Sequence, residues 1–175
     1  MSESQRKADF SYLELKAEDR VRELLRAFAA NVLIPGEQEW SQTLFPHLSV
    51  HSVAPDAPNP SATFSFTVQP QHCNFFHILH GGCTASLFDF CTSTVLGMVA
   101  RPGYWAYLGV SRTLNTTYMR PATVGTEVLV ECEIVQIGQR MCSLRGTLRR
   151  ASDGALLATC EHGKVNTDPP VASKL

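Results

Sequence analysis

The sequence lacks the features of a nucleic-acid-binding or membrane-spanning protein. Its 175 residues carry 15 Lys and Arg against 16 Asp and Glu, for a net charge of −1, and contain no basic tract. Because nucleic-acid binders concentrate positive charge on one face, that class of partner is disfavoured. No apolar run of about 18 residues occurs, so we expect no membrane span. The polar N-terminus, residues 1–10, is untypical of signal and transit peptides, and we expect a protein kept inside the cell.

The cysteine patterns of metal sites and disulfide frameworks are also missing. No two of the six cysteines form a CxxC pair. Several of them occupy apolar positions, where cysteine behaves as a small hydrophobic residue. We therefore expect no structural metal, no disulfide framework and no metal or redox cofactor. The cysteines are Cys73, Cys83, Cys91, Cys132, Cys142 and Cys160.

The N-terminal part of the chain predicts one helix and two strands. Apolar residues recur every three or four positions across residues 18–33, which predicts an amphipathic helix closed by Pro35-Gly36. Several prolines between residues 35 and 60 indicate a loop-rich connection, with room for one short edge strand over residues 48–53. Apolar and polar side chains alternate over residues 62–69, which is typical of a half-buried strand.

A helix that is apolar on almost every face is predicted from Gly81 to about residue 100, and such a helix lies in the core of a soluble protein. Asp89 is its only formally charged residue, and no Lys or Arg stands three or four positions away to pair with it. His80-Gly81-Gly82 opens the helix, and glycines there leave backbone N–H groups uncovered for an anion or oxyanion. Uncovered donors and an unpaired carboxylate indicate a reaction centre.

The C-terminal half predicts three or four antiparallel strands. The first covers residues 106–118, and later turns are expected at Gly138 and at Asp153-Gly154. One flat sheet cannot cover a helix that is apolar all round, so the sheet must curl around it, which gives an α+β fold. We expect a helix and a loop-rich extension in residues 1–60, one domain in residues 61–167 and a flexible tail in residues 168–175.

The spacing of the candidate groups predicts a shared site. Gly82 and Asp89 lie on the same helix face but about 10 Å apart along the axis, too far to act on one carbonyl group. If both serve one substrate, the donor must come from a second, antiparallel helix, as in a two-fold dimer. The structural alternative is that the glycines only allow close packing, while Asp89 caps a loop or forms an ion pair.

These residues belong to a longer pattern: Asn74-x5-His80-Gly81-Gly82-x6-Asp89, then Gly109-Val110-Ser111, then Asn115-Thr116-Thr117-Tyr118-Met119-x-Pro121. The pattern resembles the hotdog-fold acyl-CoA thioesterases, and most of all the branch with an Asp on the central helix, such as the bacterial phenylacetate-pathway and mammalian acyl-CoA thioesterases. The resemblance covers about residues 60–167. It implies a hotdog fold, an antiparallel sheet wrapped around a long central helix, here with an extra N-terminal helix.

The resemblance also implies roles for these residues. The N–H group of Gly81 polarises the thioester carbonyl, and Asp89 acts as base or nucleophile. Asn74 and Ser111 help to position substrate or water, and His80 orients the turn. A second set of residues is expected to bind substrate. Two of its members form an H-x-K pair at the end of the last strand, and this pair either lies near coenzyme A phosphates or is a solvated strand end. This set is Gly82, Thr92, His162 and Lys164.

Other residues and other functions stay open at this stage. Tyr118 and Met119 are interpreted mainly as packing residues, whereas Phe75-Phe76-His77 bears on the shape of the acyl pocket. Cys83 lies in the first helical turn, where the helix dipole could lower a thiol pKa, so a Cys-His hydrolase is conceivable. A non-catalytic acyl-CoA-binding module and a hotdog enoyl-CoA hydratase are the further alternatives. From the shared site we expect a two-fold homodimer, with a tetramer as the alternative.

The sequence ends in Ser173-Lys174-Leu175, the tripeptide that the peroxisomal import receptor binds. A polar, proline-containing stretch precedes it, which favours accessibility. We therefore expect that receptor as a partner and a peroxisomal location in a eukaryotic host, and a cytoplasmic location otherwise.

Overall fold

The computed structural model describes residues 10–30 and 40–169, which form two α-helices, six β-strands and several short 3₁₀ turns. The helices are α1 (Ala17–Ala29) and α2 (Gly81–Val95). The strands are β1 (Leu48–Ala54), β2 (Ser61–Thr67), β3 (Val110–Tyr118), β4 (Glu127–Ile137), β5 (Met141–Arg150) and β6 (Leu156–Val165). None of the helices within the described ranges is long and apolar enough to cross a membrane.

The six strands form one antiparallel sheet in the order β1-β2-β4-β5-β6-β3. The short edge strand predicted over residues 48–53 is confirmed as β1, which begins thirteen positions before the predicted domain start at residue 61. β4, β5 and β6 form the expected meander. β3 departs from sequence order, because it pairs with β6 on the far edge and not with β4. The strand that carries Ser111 is therefore an edge strand.

Helix α2 lies against the buried face of this sheet. The inner strands contribute alternate buried side chains, such as Phe64 and Phe66 of β2 and Val128 and Val130 of β4. Alternate residues of β5 are buried too, from Cys142 to Leu148, and Gly146 in this row lets the helix approach closely. A Cβ atom there would lie 2.5 Å from the Phe88 ring. The wrapped core helix predicted from its apolar faces is confirmed.

The N-terminal helix α1 packs against the end of α2 and the 3₁₀ turn that follows it, where Leu24 lies beside Gly97. Its buried residues are Val21, Leu24 and Leu25. Arg20 anchors it, because its guanidinium donates to four carbonyl oxygens. Two of them precede α1 and two follow α2, where the helix dipole favours a cation. The acceptors are Leu13 (2.7 Å), Leu15 (2.8 Å), Gly97 (3.4 Å) and Ala100 (2.8 Å). Helix α1 ends at Ala29, four positions earlier than predicted; Pro35-Gly36 lies outside the described residues.

Strand β3 begins at Val110 and not at residue 106, because a tight loop precedes it. Trp105, Leu108 and Gly109 have φ values of 60°, 58° and 62°. Glycine is required at position 109 for two reasons. Its positive φ disfavours other residues, and a Cβ atom there would lie 2.4 Å from the carbonyl oxygen of Val165.

The first residue of the predicted flexible tail is tied to this loop. The carboxylate of Asp168 accepts hydrogen bonds from the backbone N–H groups of Ala106 (2.7 Å) and Tyr107 (3.0 Å). The chain therefore stays attached to the domain at residue 168. The terminal tripeptide and residues 1–9 lie outside the described residues, so the expectations about targeting stay predictions.

Candidate active site

Asp89 lies in the middle of α2, and its carboxylate meets the edge strand β3. Its side chain is 40 % exposed, and its Oδ1 atom accepts a hydrogen bond of 2.6 Å from the hydroxyl of Ser111. As expected from the sequence, no cation within α2 pairs with Asp89. The sheet, however, supplies the partners that the helix lacks.

His162 of β6 lies directly behind Ser111. Its side chain is 0 % exposed, and its Nε2 atom is 2.9 Å from Ser111 Oγ and 3.4 Å from Asp89 Oδ1. Its Nδ1 atom is 2.6 Å from the hydroxyl oxygen of Thr92. Because Thr92 already donates its one hydrogen to the carbonyl oxygen of Phe88 (2.6 Å), it must accept from Nδ1–H. The lone pair of the neutral imidazole therefore lies on Nε2, facing Ser111.

Lys164 completes the cluster beneath Asp89. Its Nζ atom donates to Ser93 Oγ at 2.6 Å and approaches Ser111 Oγ at 3.4 Å. Burial lowers the pKa of Lys164, and the nearby carboxylate of Asp89 opposes that shift. Burial and the Lys164 charge together lower the pKa of His162 to about 4, against the smaller opposing effect of Asp89. His162 is therefore neutral near pH 7.

Three of the residues expected to bind substrate have different surroundings from those predicted. His162 and Lys164 are buried, so the alternative of a solvated strand end is wrong. Thr92 is fully buried as well, and within this chain it can reach a substrate only through His162. These three side chains surround and orient the Asp89–Ser111 pair.

The hydrogen count of this cluster matters for its chemistry. The Ser111 hydroxyl has one hydrogen, and two acceptors lie within 3 Å of its oxygen: Asp89 Oδ1 and His162 Nε2. With Asp89 ionised and His162 neutral, one of the two is left without a donor. The network is therefore one proton short of saturation. Asp89 is the member of the network that a water molecule can reach, and a proton taken up there leaves the Ser111 hydrogen for Nε2 of His162, so Asp89 is placed to act as a general base.

The first turn of α2 carries the predicted backbone donors. His80 caps the helix, and its Nδ1 atom accepts the N–H of Gly82 at 2.9 Å. The N–H group of Gly82, expected to contact substrate, is thus already satisfied. The N–H group of Gly81 has no hydrogen-bond partner among the described residues, while its carbonyl oxygen accepts the hydroxyl of Tyr118 at 2.8 Å. Gly81 is therefore the better candidate for an oxyanion donor.

Asn74 shapes the turn that leads into this helix. Its Oδ1 atom accepts the N–H groups of Phe76 (2.9 Å) and Ile78 (3.3 Å). Its amide nitrogen has no acceptor in the described part of the chain and is free to donate to a ligand. The same turn directs Phe75 and Phe76 outward, where they are 100 % and 79 % exposed.

The structure argues against Cys83 as a reactive thiol. Burial, together with the nearby Cys73, raises the pKa of the Cys83 thiol to about 12. The thiolate is the nucleophilic form of cysteine, and almost none of it is present at pH 7 under these conditions. The predicted lowering by the helix dipole is wrong for this site, because burial dominates.

Two residues of the site were missed or misread in the sequence. The sequence indicates a packing residue at Tyr118, but its side chain is 55 % exposed and its hydroxyl donates a hydrogen bond to the carbonyl oxygen of Gly81. Ser93 accepts the hydrogen bond of Lys164 and was not considered as a site residue. Its position four residues after Asp89, on the same helix face, was the available signal.

The neutral, buried His162 predicts a pH-dependent stability. Its pKa of about 4 in the folded protein lies below the ordinary value of 6.5, so the unfolded chain binds more protons between these values. The free energy of unfolding should therefore fall as the pH falls through this window, by about 2 kcal/mol between pH 7 and pH 5. Urea unfolding at both pH values measures this. His162→Gln should lose that part of the dependence, and an equal slope in both proteins would contradict the prediction.

Comparison with known proteins gives relatives for this chain. Residues 76–157 match the family described as the thioesterase superfamily. Acyl-coenzyme A thioesterase 13 from Mus musculus is 34% identical over 97 residues, which cover 55% of this chain and 66% of that protein. The match thus spans just under two thirds of that relative's length.

Solved structures of similar proteins identify the fold of this chain. Thioesterase superfamily member 2 from zebrafish superposes with a TM-score of 0.69 at 26% sequence identity, covering 86% of this chain and 98% of that one. The Mus musculus protein of the same name gives a TM-score of 0.66 at 26% identity over the same shares. These likenesses, with the wrapped helix and six-stranded sheet, confirm the hotdog fold.

Proposed function

Because residues 76–157 match the thioesterase superfamily, we propose that the protein hydrolyses an acyl-CoA to a free acid and coenzyme A. The observation that carries this proposal is the Asp89 carboxylate, which is half exposed, held by Ser111 and supported by a neutral His162. A positioned carboxylate of this kind can activate a water molecule beside a thioester.

The chemistry follows from the proton count. As the water oxygen bonds to the thioester carbon, one water proton passes to the Asp89 network, which has room for it. The carbonyl oxygen becomes an oxyanion, and its collapse breaks the C–S bond. The leaving thiolate of coenzyme A then takes up the proton held by the network, which returns to its starting state. Direct attack by Asp89 is the alternative, and label from ¹⁸O-water appearing in Asp89 after a single turnover would favour it.

The oxyanion needs a donor, and we assign the N–H group of Gly81 to this role. It lies at the positive end of the α2 dipole and has no partner among the described residues. Tyr118 fixes the turn by donating to the Gly81 carbonyl oxygen. The amide nitrogen of Asn74 is a second donor from the adjacent turn. Donors held in place before the reaction stabilise the charge that develops in the transition state.

Gly81 and Asp89 of one chain do not fit one substrate carbonyl. The helix is continuous between them, and eight residues at 1.5 Å each separate them by about 12 Å. A two-fold partner could bring its own Gly81 to Asp89. The outer edge of β3 supports such an assembly, because this nine-residue strand carries Ser111 and has exposed side chains, including Val110 and Tyr118. We propose a homodimer with two shared sites.

The hydratase alternative favours an Asp and a His that act together on an enoyl thioester. The fold does bring His162 to within 3.4 Å of Asp89. His162 is fully buried behind Ser111, however, so it cannot contact an enoyl group directly. Hydration by a two-residue acid and base is therefore less well supported than hydrolysis.

The proposal is tested by release of free thiol from acyl-CoA esters of graded chain length, measured with a chromogenic thiol reagent. Hydrolysis of at least part of the series is expected. Binding of coenzyme A without thiol release would indicate a non-catalytic binding module, and loss of enoyl absorbance without thiol release would indicate a hydratase.

A further inference from the structure

A cavity of about 350 Å³ lies between the N-terminal segment and the central helix, and Asp89 forms part of its wall. One side is built by residues of the first 3₁₀ turn and of α1. The opposite side is built by Asp89, Phe90 and Ser93 of α2 and by the loop before β3. Its volume lies in the range of small-molecule sites. The cavity therefore joins the reaction centre to a part of the chain outside the matched family region.

The charged groups of the cavity are separated from its apolar part. Asp89 and Lys164 belong to the hydrogen-bonded cluster around Ser111. Glu23 and Arg26 form an ion pair on α1, where the Arg26 side chain is 69% exposed. Most of the remaining wall is apolar or aromatic. The apolar and aromatic residues of this wall include Phe10, Leu24, Ala27, Phe28, Phe90 and Leu108. Such a wall fits an uncharged hydrocarbon or aryl group and disfavours a second carboxylate.

The N-terminal segment is held in place by contacts that also close the cavity. The rings of Phe10 and Tyr107 pack edge to face with centroids 4.7 Å apart, and those of Phe28 and Phe90 pack at 6.2 Å. Each pair joins the N-terminal segment to the hotdog domain. The buried Tyr12 adds a hydrogen bond of 2.8 Å to the carbonyl oxygen of Ala106. These three contacts fix the far wall of the cavity against the domain.

We propose that this cavity binds the acyl chain of the substrate, so that the N-terminal segment, residues 10–29, sets which acyl groups the enzyme accepts. The inference rests on the proposed thioesterase function and names its substrate class: thioesters with an apolar acyl or aryl-acyl group. The thioester lies at Asp89, and the chain extends away from it between α1 and α2. Ala27 has the smallest side chain on the α1 wall, so it leaves the space that the acyl group fills.

The test uses variants that fill or open this space in the full-length protein. Ala27→Phe places a ring in the cavity. Ala29→Phe is the matched control, because Ala29 is exposed on the same helix and does not line the cavity. Tyr107→Ala removes a half-exposed ring from the opposite wall and should admit longer or bulkier chains. If Ala27→Phe fails to fold, Ala27→Leu replaces it with the same expected direction.

The readout is equilibrium binding of S-dodecyl-coenzyme A, a thioether that cannot be hydrolysed, compared with coenzyme A itself. Each methylene expelled from an apolar site costs about fourfold in affinity. Ala27→Phe should therefore weaken S-dodecyl-coenzyme A by about 15- to 60-fold, for two to three methylenes, and leave coenzyme A unchanged. Ala29→Phe should change neither affinity.

The outcomes separate this inference from the proposed function. Wild-type affinity of folded Ala27→Phe for S-dodecyl-coenzyme A, in a protein that hydrolyses acyl-CoA, would place the acyl chain elsewhere and leave the thioesterase function standing. The expected loss of binding in a protein that releases no thiol would support the acyl site and refute hydrolysis.

Discussion

Asp89→Asn is expected to lower kcat for acyl-CoA hydrolysis by about 10²–10⁴, the range of a lost general base. The amide has nearly the shape of the carboxylate and can still accept the hydrogen bond from Ser111. It cannot take up the proton that the attacking water loses. KM should change little, because asparagine keeps the shape of the carboxylate in the cavity wall and leaves the apolar lining unchanged. Steady-state kinetics with the best acyl-CoA of the graded series measures both parameters.

Asp56→Asn is the matched control for this substitution. Asp56 is an exposed carboxylate in the loop between β1 and β2, and its loss should leave kcat unchanged. Circular dichroism and thermal unfolding check that both variants fold. A folded Asp89→Asn protein that turns over at near the wild-type rate would remove Asp89 from the mechanism.

Gly81→Pro should lower kcat by about 10²–10³, the cost of removing one oxyanion donor. Proline suits this position, because it is the first residue of α2 and His80 before it is extended, with φ −64° and ψ 137°. The substitution therefore removes the N–H group without removing a helical hydrogen bond. The added ring must fit beside Tyr118, since a Cβ atom at Gly81 lies 3.3 Å from that side chain.

Gly81→Ala separates the lost donor from the steric effect. It adds the same Cβ atom beside Tyr118 but keeps the N–H group, so it should retain most of the activity. Equal losses in the alanine and proline variants would show that crowding against Tyr118, and not loss of the donor, lowers the rate.

The fold was predictable because its signals are local. The apolar faces of α2, the alternation in β2 and β4 and the turns at Gly138 and Asp153-Gly154 are each encoded within about fifteen residues. The wrapped sheet follows from the same patterns. The position of β3 was not predictable in this way. Its place beside β6 depends on how the whole sheet closes, and no local pattern of residues 110–118 records it.

The site was predictable as a set of residues but not as a network. The motif of the α2 region identified Asp89 and Ser111, which lie 22 positions apart. His162 lies 51 positions beyond Ser111 and 70 beyond Thr92, so their contacts exist only in the folded sheet. The burial of His162 and Lys164 could not be predicted from the sequence either, since lysine is mostly exposed and histidine is intermediate. The proton count depends on these long-range contacts, which the sequence does not display.

Subunit mixing tests most directly the central claim that Asp89 acts on a carbonyl held by the partner's Gly81. Equal amounts of Asp89→Asn and Gly81→Pro chains, each nearly inactive alone, are mixed and either refolded together or left to exchange subunits. Native mass spectrometry verifies that heterodimers form. Half of the dimers should be mixed, and each mixed dimer has one intact site of two, so activity should return to about a quarter of the wild-type value. Verified heterodimers without recovered activity would place Asp89 and the oxyanion donor in one chain and contradict the shared site.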